Sequence, residues 1–240
     1  MIPNTKYVFF DTETTGNTES DFLCQLAYKK GDEIFCELYK PPMPIPPEAS
    51  AVHHITNKMI ADKPAFKESD SYAKVKTIFE DIKNIPVAHN AKFDIGMMKK
   101  EGIEIPHFIC TLRLARHLDE ENIIPRYNLQ YLRYYLNMDI DAQAHDALGD
   151  VKILEALFER LKHKMVEKHG DEEKALEEML LVSARPSIMN TFGFGKYMGK
   201  KIEDVAKTDR GYLEWLLAQK MQSTSDEEDW IYTLKHFLGK

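Results

Sequence analysis

The first forty residues contain three short apolar runs of the kind that form β-strands. Residues 7–10 are aromatic or β-branched without interruption, which predicts a buried strand. Residues 22–28 and 33–39 form two further runs, and the charged, glycine-containing turn at 29–32 between them predicts a hairpin. The sheet is therefore expected to begin as an antiparallel meander.

A proline-rich stretch then interrupts the pattern. Residues 40–47 include five prolines, so we predict an extended connector there, with a proline-rich ligand for another protein as the alternative. Thr56 is a plausible cap for a short helix that follows. His53 and His54 are adjacent and point in different directions, so we expect His54 to contact substrate or to pack in the fold and not to bind a metal.

Beyond residue 70, helical and strand patterns alternate. Helices are predicted at 71–83, 91–101, 111–118, 128–136 and from 146 to about 163, with short strands at 85–90 and 107–111. A β-meander followed by alternating helix and strand favours an α/β domain with a mixed sheet.

Composition narrows the class of protein. The chain has 240 residues, of which 43% are hydrophobic, enough for one domain of ordinary size with a small appendage. The formal net charge of −7 means that nucleic acid would have to bind at a local basic patch. Three scattered cysteines predict neither disulfides nor a zinc site and favour a reducing, cytoplasmic compartment. No apolar run approaches membrane-spanning length, so no membrane partner is expected.

Two carboxylates follow the first predicted strand. Residues i and i+2 of a strand point to the same side, so Asp11 and Glu13 should project together. Their mutual repulsion would be relieved by a divalent cation, and oxygen ligands favour magnesium or manganese. The alternative is an ordinary polar turn at the end of a strand.

Three further polar residues have an ordinary structural explanation when each is considered alone. Asp94 would favour the N-terminus of a helix through the helix dipole. Asp150 could be an exposed carboxylate on a helix, and His145 a cap or a surface histidine.

Together, the five residues resemble the three motifs of the DEDD exonuclease family. The matching segments are Asp11-Thr12-Glu13, His89-Asn90-x-x-Phe93-Asp94 and His145-x-x-x-x-Asp150. The tyrosine branch of that family would place a tyrosine at position 146, which is an aspartate here, whereas the histidine branch matches at His145. The chain is thus similar to the DEDDh branch, which includes the DNA polymerase III epsilon and exodeoxyribonuclease X groups, and the resemblance implies a ribonuclease H-like mixed sheet flanked by helices.

The resemblance also implies a function. A DEDDh protein would be a metal-dependent 3′–5′ exonuclease that releases nucleoside 5′-monophosphates from the 3′ ends of DNA, with a role in DNA repair. Asp11, Glu13, Asp94 and Asp150 would hold two Mg²⁺ or Mn²⁺ ions per active site, and His145 would be the general base. The expected contacts to the terminal nucleotide are Thr14, Asn90 and Phe93.

The C-terminal region resembles the small C-terminal domain of exodeoxyribonuclease X-like proteins. The predicted division is an exonuclease domain at 1–168, a helical linker at 169–187 and the small domain at 188–240. Glycines, aromatic residues and lysines interleave near residue 196, so Lys196 and Lys200 are predicted to hold a phosphate backbone. In the alternative, the aromatic residues form a small core and the lysines are solvated.

Two other functions stay open at this stage. A 3′–5′ exoribonuclease of the same branch would carry the same motifs, because one sequence does not reveal how the 2′-OH is handled. A catalytically silent nucleic-acid-binding protein would share the fold. Other DNA-processing proteins are open as further partners.

Overall fold

The structure, a computed structural model, describes residues 6–18, 20–140, 147–223 and 227–240. Within these ranges one five-stranded mixed sheet has the order β3-β2-β1-β4-β5. The first three strands pair antiparallel and the last two join in parallel. The strands are β1 (Tyr7–Thr14), β2 (Leu23–Lys30), β3 (Glu33–Leu38), β4 (Ile85–Ala88) and β5 (Ile109–Cys110). The predicted α/β class with a mixed sheet is confirmed.

Helices cover both faces of the sheet and form the C-terminal region. They are α1 (Pro47–His53), α2 (Tyr72–Glu80), α3 (Ala91–Lys100), α4 (Thr111–Leu118), α5 (Leu129–Tyr135), α6 (Ala147–His169), α7 (Glu172–Ala184), α8 (Ile202–Thr208), α9 (Arg210–Gln222) and α10 (Glu228–Leu238). In the described part of the chain, none of them combines the length and apolar character needed to cross a bilayer.

Residues 40–46 form neither helix nor strand, as predicted for the connector, and only its last residue, Pro47, belongs to a helix. Pro47 occupies the first position of α1, where a missing N–H costs nothing and the fixed φ of proline suits the helix. Pro46 before it is extended, with φ −66° and ψ 153°. The short helix expected after Thr56 does not form, and residues 57–62 make turns.

Alternation along β1 assigns its side chains to two different cores. Tyr7 and Phe9 face α6, where their ring centroids lie 4.8 and 5.4 Å from that of Phe158. Val8 and Phe10 face the opposite side, where the centroid of Phe10 lies 5.0 Å from that of Phe79 on α2. Because the period of a strand is two, the later odd-numbered residues also face α6 and the even-numbered ones face α2 and α3.

The region after α6 comprises a packed helix and a separate small core. Helix α7, in the predicted linker, buries Ala175 and Met179 against the first core, and the Ser183 hydroxyl accepts a 2.8 Å hydrogen bond from Cys110 N on β5. Helices α8 to α10 then surround a core of their own that includes Phe192 and Leu213. We call residues 188–240 the C-terminal module.

Candidate active site

Three carboxylates meet at the C-terminal end of β1. Ligand oxygens of Asp11, Glu13 and Asp150 all lie within 4.8 Å of one another. Asp11 and Glu13 are odd-numbered residues of β1 and so face α6, whose first turn carries Asp150. Asp150 is 8% exposed and the other two are half-buried. The strand alternation therefore explains why this helix supplies the third carboxylate.

The structure places Asp94 on the other side of β1. Asp94 lies in the first turn of α3 and is 3% exposed. Its Oδ1 accepts hydrogen bonds from Thr12 N at 3.1 Å and from Thr12 Oγ1 at 2.6 Å. Burial raises the pKa of Asp94 to about 7, and the two bonds from Thr12 act against that rise. Thr12 thus joins the fourth carboxylate to the strand segment that carries the first two.

The backbone changes course just after Glu13. The pairing of β1 with β2 shifts register between Glu13 and Thr14, and such irregularities bend a strand beside functional sites. The Thr14 hydroxyl donates a 2.5 Å hydrogen bond to the Gly16 carbonyl, and the residue is buried. Thr14 therefore shapes the turn beside the carboxylates.

A histidine that the sequence analysis did not select also contacts this turn. Ile55 N donates to His53 Nδ1 at 3.0 Å, so the proton resides on Nε2, which donates to the Thr14 carbonyl at 3.2 Å. His53 is buried, whereas the predicted His54 is exposed and caps α1 with φ 63°. Two adjacent histidines face opposite ways, and the sequence offered no sign of which one faces inward.

The second predicted motif follows β4. Asn90 is exposed, has φ 64° and immediately precedes α3, whereas Phe93 is half-buried in the first turn. His89 is anchored on both ring nitrogens, with Nε2 donating to the Tyr127 carbonyl at 2.7 Å and Nδ1 lying 2.9 Å from Thr111 Oγ1. Burial lowers the pKa of His89 to about 4, which keeps the ring neutral.

Helix α5 supplies a contact to Asp150, and the N-terminus of this helix is capped. Gln130 on α5 donates a 2.5 Å hydrogen bond from Nε2 to Asp150 Oδ1, a contact absent from the sequence-based expectations. Asn128 caps the same helix by accepting from Tyr131 N at 2.8 Å. His145, the predicted base, lies outside the described residues.

The two predicted lysines of the C-terminal module differ in their surroundings. Lys196 Nζ lies 3.0 Å from Asp209 Oδ2 and 4.8 Å from the ring centroid of Tyr197. Lys200 is exposed. Most of the nearby aromatic side chains pack in the module core, as the alternative interpretation held, but Phe194 is 38% exposed.

The donor set at β1 suits a divalent cation. Three carboxylates at this separation repel one another unless a cation lies between them, and hard oxygen ligands favour Mg²⁺ or Mn²⁺. An acidic metal centre at the end of the central strand of an α/β domain suits phosphoryl-transfer chemistry. The fold and the site together define a class, that of α/β domains with a carboxylate cluster suited to a divalent cation.

Comparison with known proteins identifies the family. The sequence family described as Exonuclease matches residues 8–158, and the family described as Exodeoxyribonuclease X-like C-terminal matches residues 192–220. The chain belongs to the exonuclease family, within the nuclease class of hydrolases. The predicted relationship, including that of the C-terminal domain, is confirmed.

Individual relatives agree with this assignment. The chain is 35% identical over 208 residues to Exodeoxyribonuclease 10 of Escherichia coli (strain K12), which covers 84% of this chain and 83% of the relative. It is 27% identical over 242 residues to DNA polymerase III subunit epsilon of Pasteurella multocida (strain Pm70), covering 91% of each. The solved structure of exonuclease X in complex with 5′ overhanging duplex DNA aligns with a TM-score of 0.56 and 26% identity, over 74% of this chain and 99% of that one.

Proposed function

We propose that the protein is a DEDDh-type 3′–5′ exonuclease that releases nucleoside 5′-monophosphates from the 3′ end of DNA. The observation that carries the proposal is the meeting of Asp11, Glu13 and Asp150 within 4.8 Å. It occurs in a chain 35% identical to Exodeoxyribonuclease 10. A cytoplasmic setting and a role in DNA repair belong to the same proposal.

The carboxylates would hold the metal ions. Asp11, Glu13 and Asp150, with Asp94 beside them at Thr12, would hold two Mg²⁺ or Mn²⁺ ions. Bound ions of this kind lower the pKa of water and stabilise charge on a phosphate group. Thr12 keeps Asp94 beside the strand, and Gln130 orients Asp150. His145, five residues before Asp150, would accept the proton of the attacking water.

Other side chains would bind the substrate. Asn90 presents an exposed amide at the start of α3, and Phe93 follows one turn later. The proposed contacts to the terminal nucleotide are Thr14, Asn90, Phe93 and His54. In the C-terminal module, Lys200 would contact phosphate directly, whereas a phosphate at Lys196 would compete with Asp209.

The decisive experiment determines which end of the DNA is degraded and which product is released. A DNA oligonucleotide labelled at the 3′ or the 5′ end is incubated with Mg²⁺, Mn²⁺ or EDTA, and the same sequence is supplied as RNA and as duplex. We expect labelled mononucleotide at once from the 3′-labelled DNA and none in EDTA. Asp11→Asn should abolish this release, whereas Asp70→Asn, which neutralises an exposed carboxylate elsewhere, should not.

The alternatives are outcomes of the same experiment. Faster turnover of RNA would identify an exoribonuclease. Binding without hydrolysis under every metal condition would identify a silent nucleic-acid-binding protein. Undiminished activity in EDTA would exclude the metal mechanism.

A further inference from the structure

A cleft lies between the exonuclease domain and the C-terminal module. Its volume is about 690 Å³, within the range of pockets that hold small-molecule or cofactor-sized ligands. One wall comes from the residues that follow β4 and β5 and from the segment 125–128, and the other from residues 188–198 and Trp230. Both walls are needed to form it.

Shared ion pairs hold the two walls together. Asp229 on α10 accepts from Arg113 at 2.8 Å and from Arg116 at 2.6 Å, both on α4. Glu228 accepts from Arg113 at 2.7 Å and also pairs with Lys92 on α3. Arg113 is 4% exposed, and burial of a multiply paired guanidinium fixes the position of its partners. These ion pairs therefore fix the C-terminal module against the exonuclease domain and define the shape of the cleft.

Lys92, Arg113 and Arg116 in the cleft are paired with Glu228 or Asp229, so Arg126 is the basic lining residue that matters for a ligand. Four basic side chains line the cleft against two acidic ones, namely Lys92, Arg113, Arg116 and Arg126 against Glu227 and Asp229. Glu227 is itself paired at 2.7 Å with Lys220. Arg126 is exposed and makes no ion pair with any described residue, so its guanidinium is available to a phosphate.

An aromatic side chain is presented at the rim. Phe194 is 38% exposed, and its centroid lies 5.1 Å from that of Trp230 in an edge-to-face pair. Lys220 Nζ lies 5.1 Å from the Phe194 centroid. Trp230 and Lys220 hold the ring, and the exposed part of its surface is suited to stacking on a nucleobase.

The cleft borders the N-terminus of α3, the helix that carries Asp94. Asn90 lines it, and Asp94, four residues further along α3, is bonded to Thr12 between Asp11 and Glu13. Asn90 immediately precedes α3 and Asp94 lies in its first turn, so the start of this helix is shared by the cleft and the carboxylate site. A strand whose 3′ end lies at the carboxylates would enter the cleft with its upstream residues.

We propose that this cleft is a second nucleic-acid site, which holds a single-stranded segment of the substrate with a base on Phe194 and a phosphate on Arg126. The inference rests on the proposed exonuclease function, because it assigns the path of the same substrate. Arg126 supplies the positive charge that a phosphate needs, and Phe194 supplies the exposed ring on which a base can stack.

The test compares a long and a short ligand. Fluorescence anisotropy, with Ca²⁺ in place of Mg²⁺ so that a cation occupies the carboxylates, measures the affinity of the full chain for two ligands. One is single-stranded DNA of about 12 nucleotides, within the range of known single-strand site sizes, and the other is a dinucleotide confined to the carboxylate site. Phe194→Ala and Arg126→Ala should each lower the affinity for the long ligand, relative to the affinity for the dinucleotide, about fivefold or more. Arg126→Ala should also reduce the salt dependence of the long ligand by about 0.7 in the log–log slope, the value for one phosphate contact on a single strand.

Two control variants remove an aromatic side chain and a basic side chain at positions outside the cleft. Trp215→Ala removes an exposed aromatic side chain of the module that does not line the cleft. Lys83→Ala removes a charge before β4, at the end of that strand away from the cleft residues His89 and Asn90. Equal affinity ratios and salt slopes for cleft and control variants would overturn the inference. The measurement needs no turnover, so a failed nuclease assay and a failed cleft are distinguished.

Discussion

The hydroxyl of Thr12 donates a 2.6 Å hydrogen bond to Oδ1 of Asp94, which lies 82 residues further along the chain. The bond joins β1 to the first turn of α3 and lies on the face of β1 opposite to Asp11 and Glu13. Two motifs that are distant in sequence are thus held in register by a residue that carries no charge.

The Thr12–Asp94 bond should matter for both activity and stability. Thr12→Val removes the hydroxyl at nearly constant volume, and we expect a loss of about 1–3 kcal/mol in the free energy of unfolding because a buried carboxylate loses a partner. Turnover should fall about tenfold or more, as for other changes to groups that orient metal ligands. Thr12→Ser keeps the hydroxyl and is the matched control. Equal turnover by the two variants would show that Asp94 needs no orientation by this side chain.

Gln130 gives a second prediction, at Asp150. Its amide donates to Asp150 Oδ1 at 2.5 Å, which fixes the direction of that carboxylate. Gln130→Ala should weaken Mg²⁺ binding about 10- to 100-fold, the usual cost of losing a partner of a metal ligand. Isothermal titration calorimetry measures this affinity. Tyr134→Ala, on the exposed side of the same helix, should bind Mg²⁺ as the wild type does, and the same affinity in Gln130→Ala would assign the glutamine to packing only.

The carboxylate cluster should store repulsion that a cation relieves. In EDTA, Asp11→Asn should raise the melting temperature, since it removes one of three negative charges within 4.8 Å. With Mg²⁺, the wild type should gain about 2.7 kcal/mol at a metal concentration one hundred times its Kd, and the variant should gain much less. Thermal unfolding with and without Mg²⁺ measures both effects, with Asp70→Asn as control. Equal gains by variant and wild type would place the cation elsewhere.

Sequence alone predicted the parts of this site that depend on the alternation of side chains along a strand. Alternation along β1 was enough to place Asp11 and Glu13 on one side, and the same rule explains why Thr12 meets Asp94 on the other. The choice of Asp150 required the family resemblance, because helical periodicity does not say which helix packs against which face of a sheet.

The remaining features depend on tertiary contacts. Gln130 reaches Asp150 only because α5 packs beside α6, and His53 reaches Thr14 across 39 residues. Neither residue belongs to a motif. The prediction of an extended connector over residues 40–47 was wrong only at Pro47, because proline disfavours a helix interior but is favourable at the first turn.

His89 should make stability depend on pH. Its folded-state pKa of about 4 lies below the ordinary value of 6.5, mainly through burial, so protonation favours the unfolded chain. The contribution is fully present above pH 6.5 and is lost as the pH falls towards 4, by up to about 3 kcal/mol. His89→Gln should be less stable at pH 7, through altered bonds to Thr111 and Tyr127, but should lose less between pH 6.5 and 4. Urea unfolding across that range measures the difference, and parallel curves would contradict it.

His145 is proposed as a base and not as a metal ligand, and the two roles predict different losses. His145→Ala should keep metal and DNA affinity but lose turnover about a hundredfold or more, as for removal of a general base. The wild-type rate should fall on acidification through the histidine pKa, near 6.5 for an unperturbed side chain, because imidazolium cannot accept a proton. The alanine variant should lack this acid limb.

Two further variants are compared with His145→Ala, one at a second histidine and one at a carboxylate of the cluster. His163→Ala changes an exposed histidine on α6 and should keep both the rate and the acid limb. Asp11→Asn should lose metal affinity together with turnover, because it removes a charge from the cluster itself. Single-turnover rates across pH, measured beside metal binding by calorimetry, separate the three variants. A His145→Ala variant that cleaves at the wild-type rate with the wild-type acid limb would remove the histidine from the chemistry, and the DEDDh assignment would lose its defining residue.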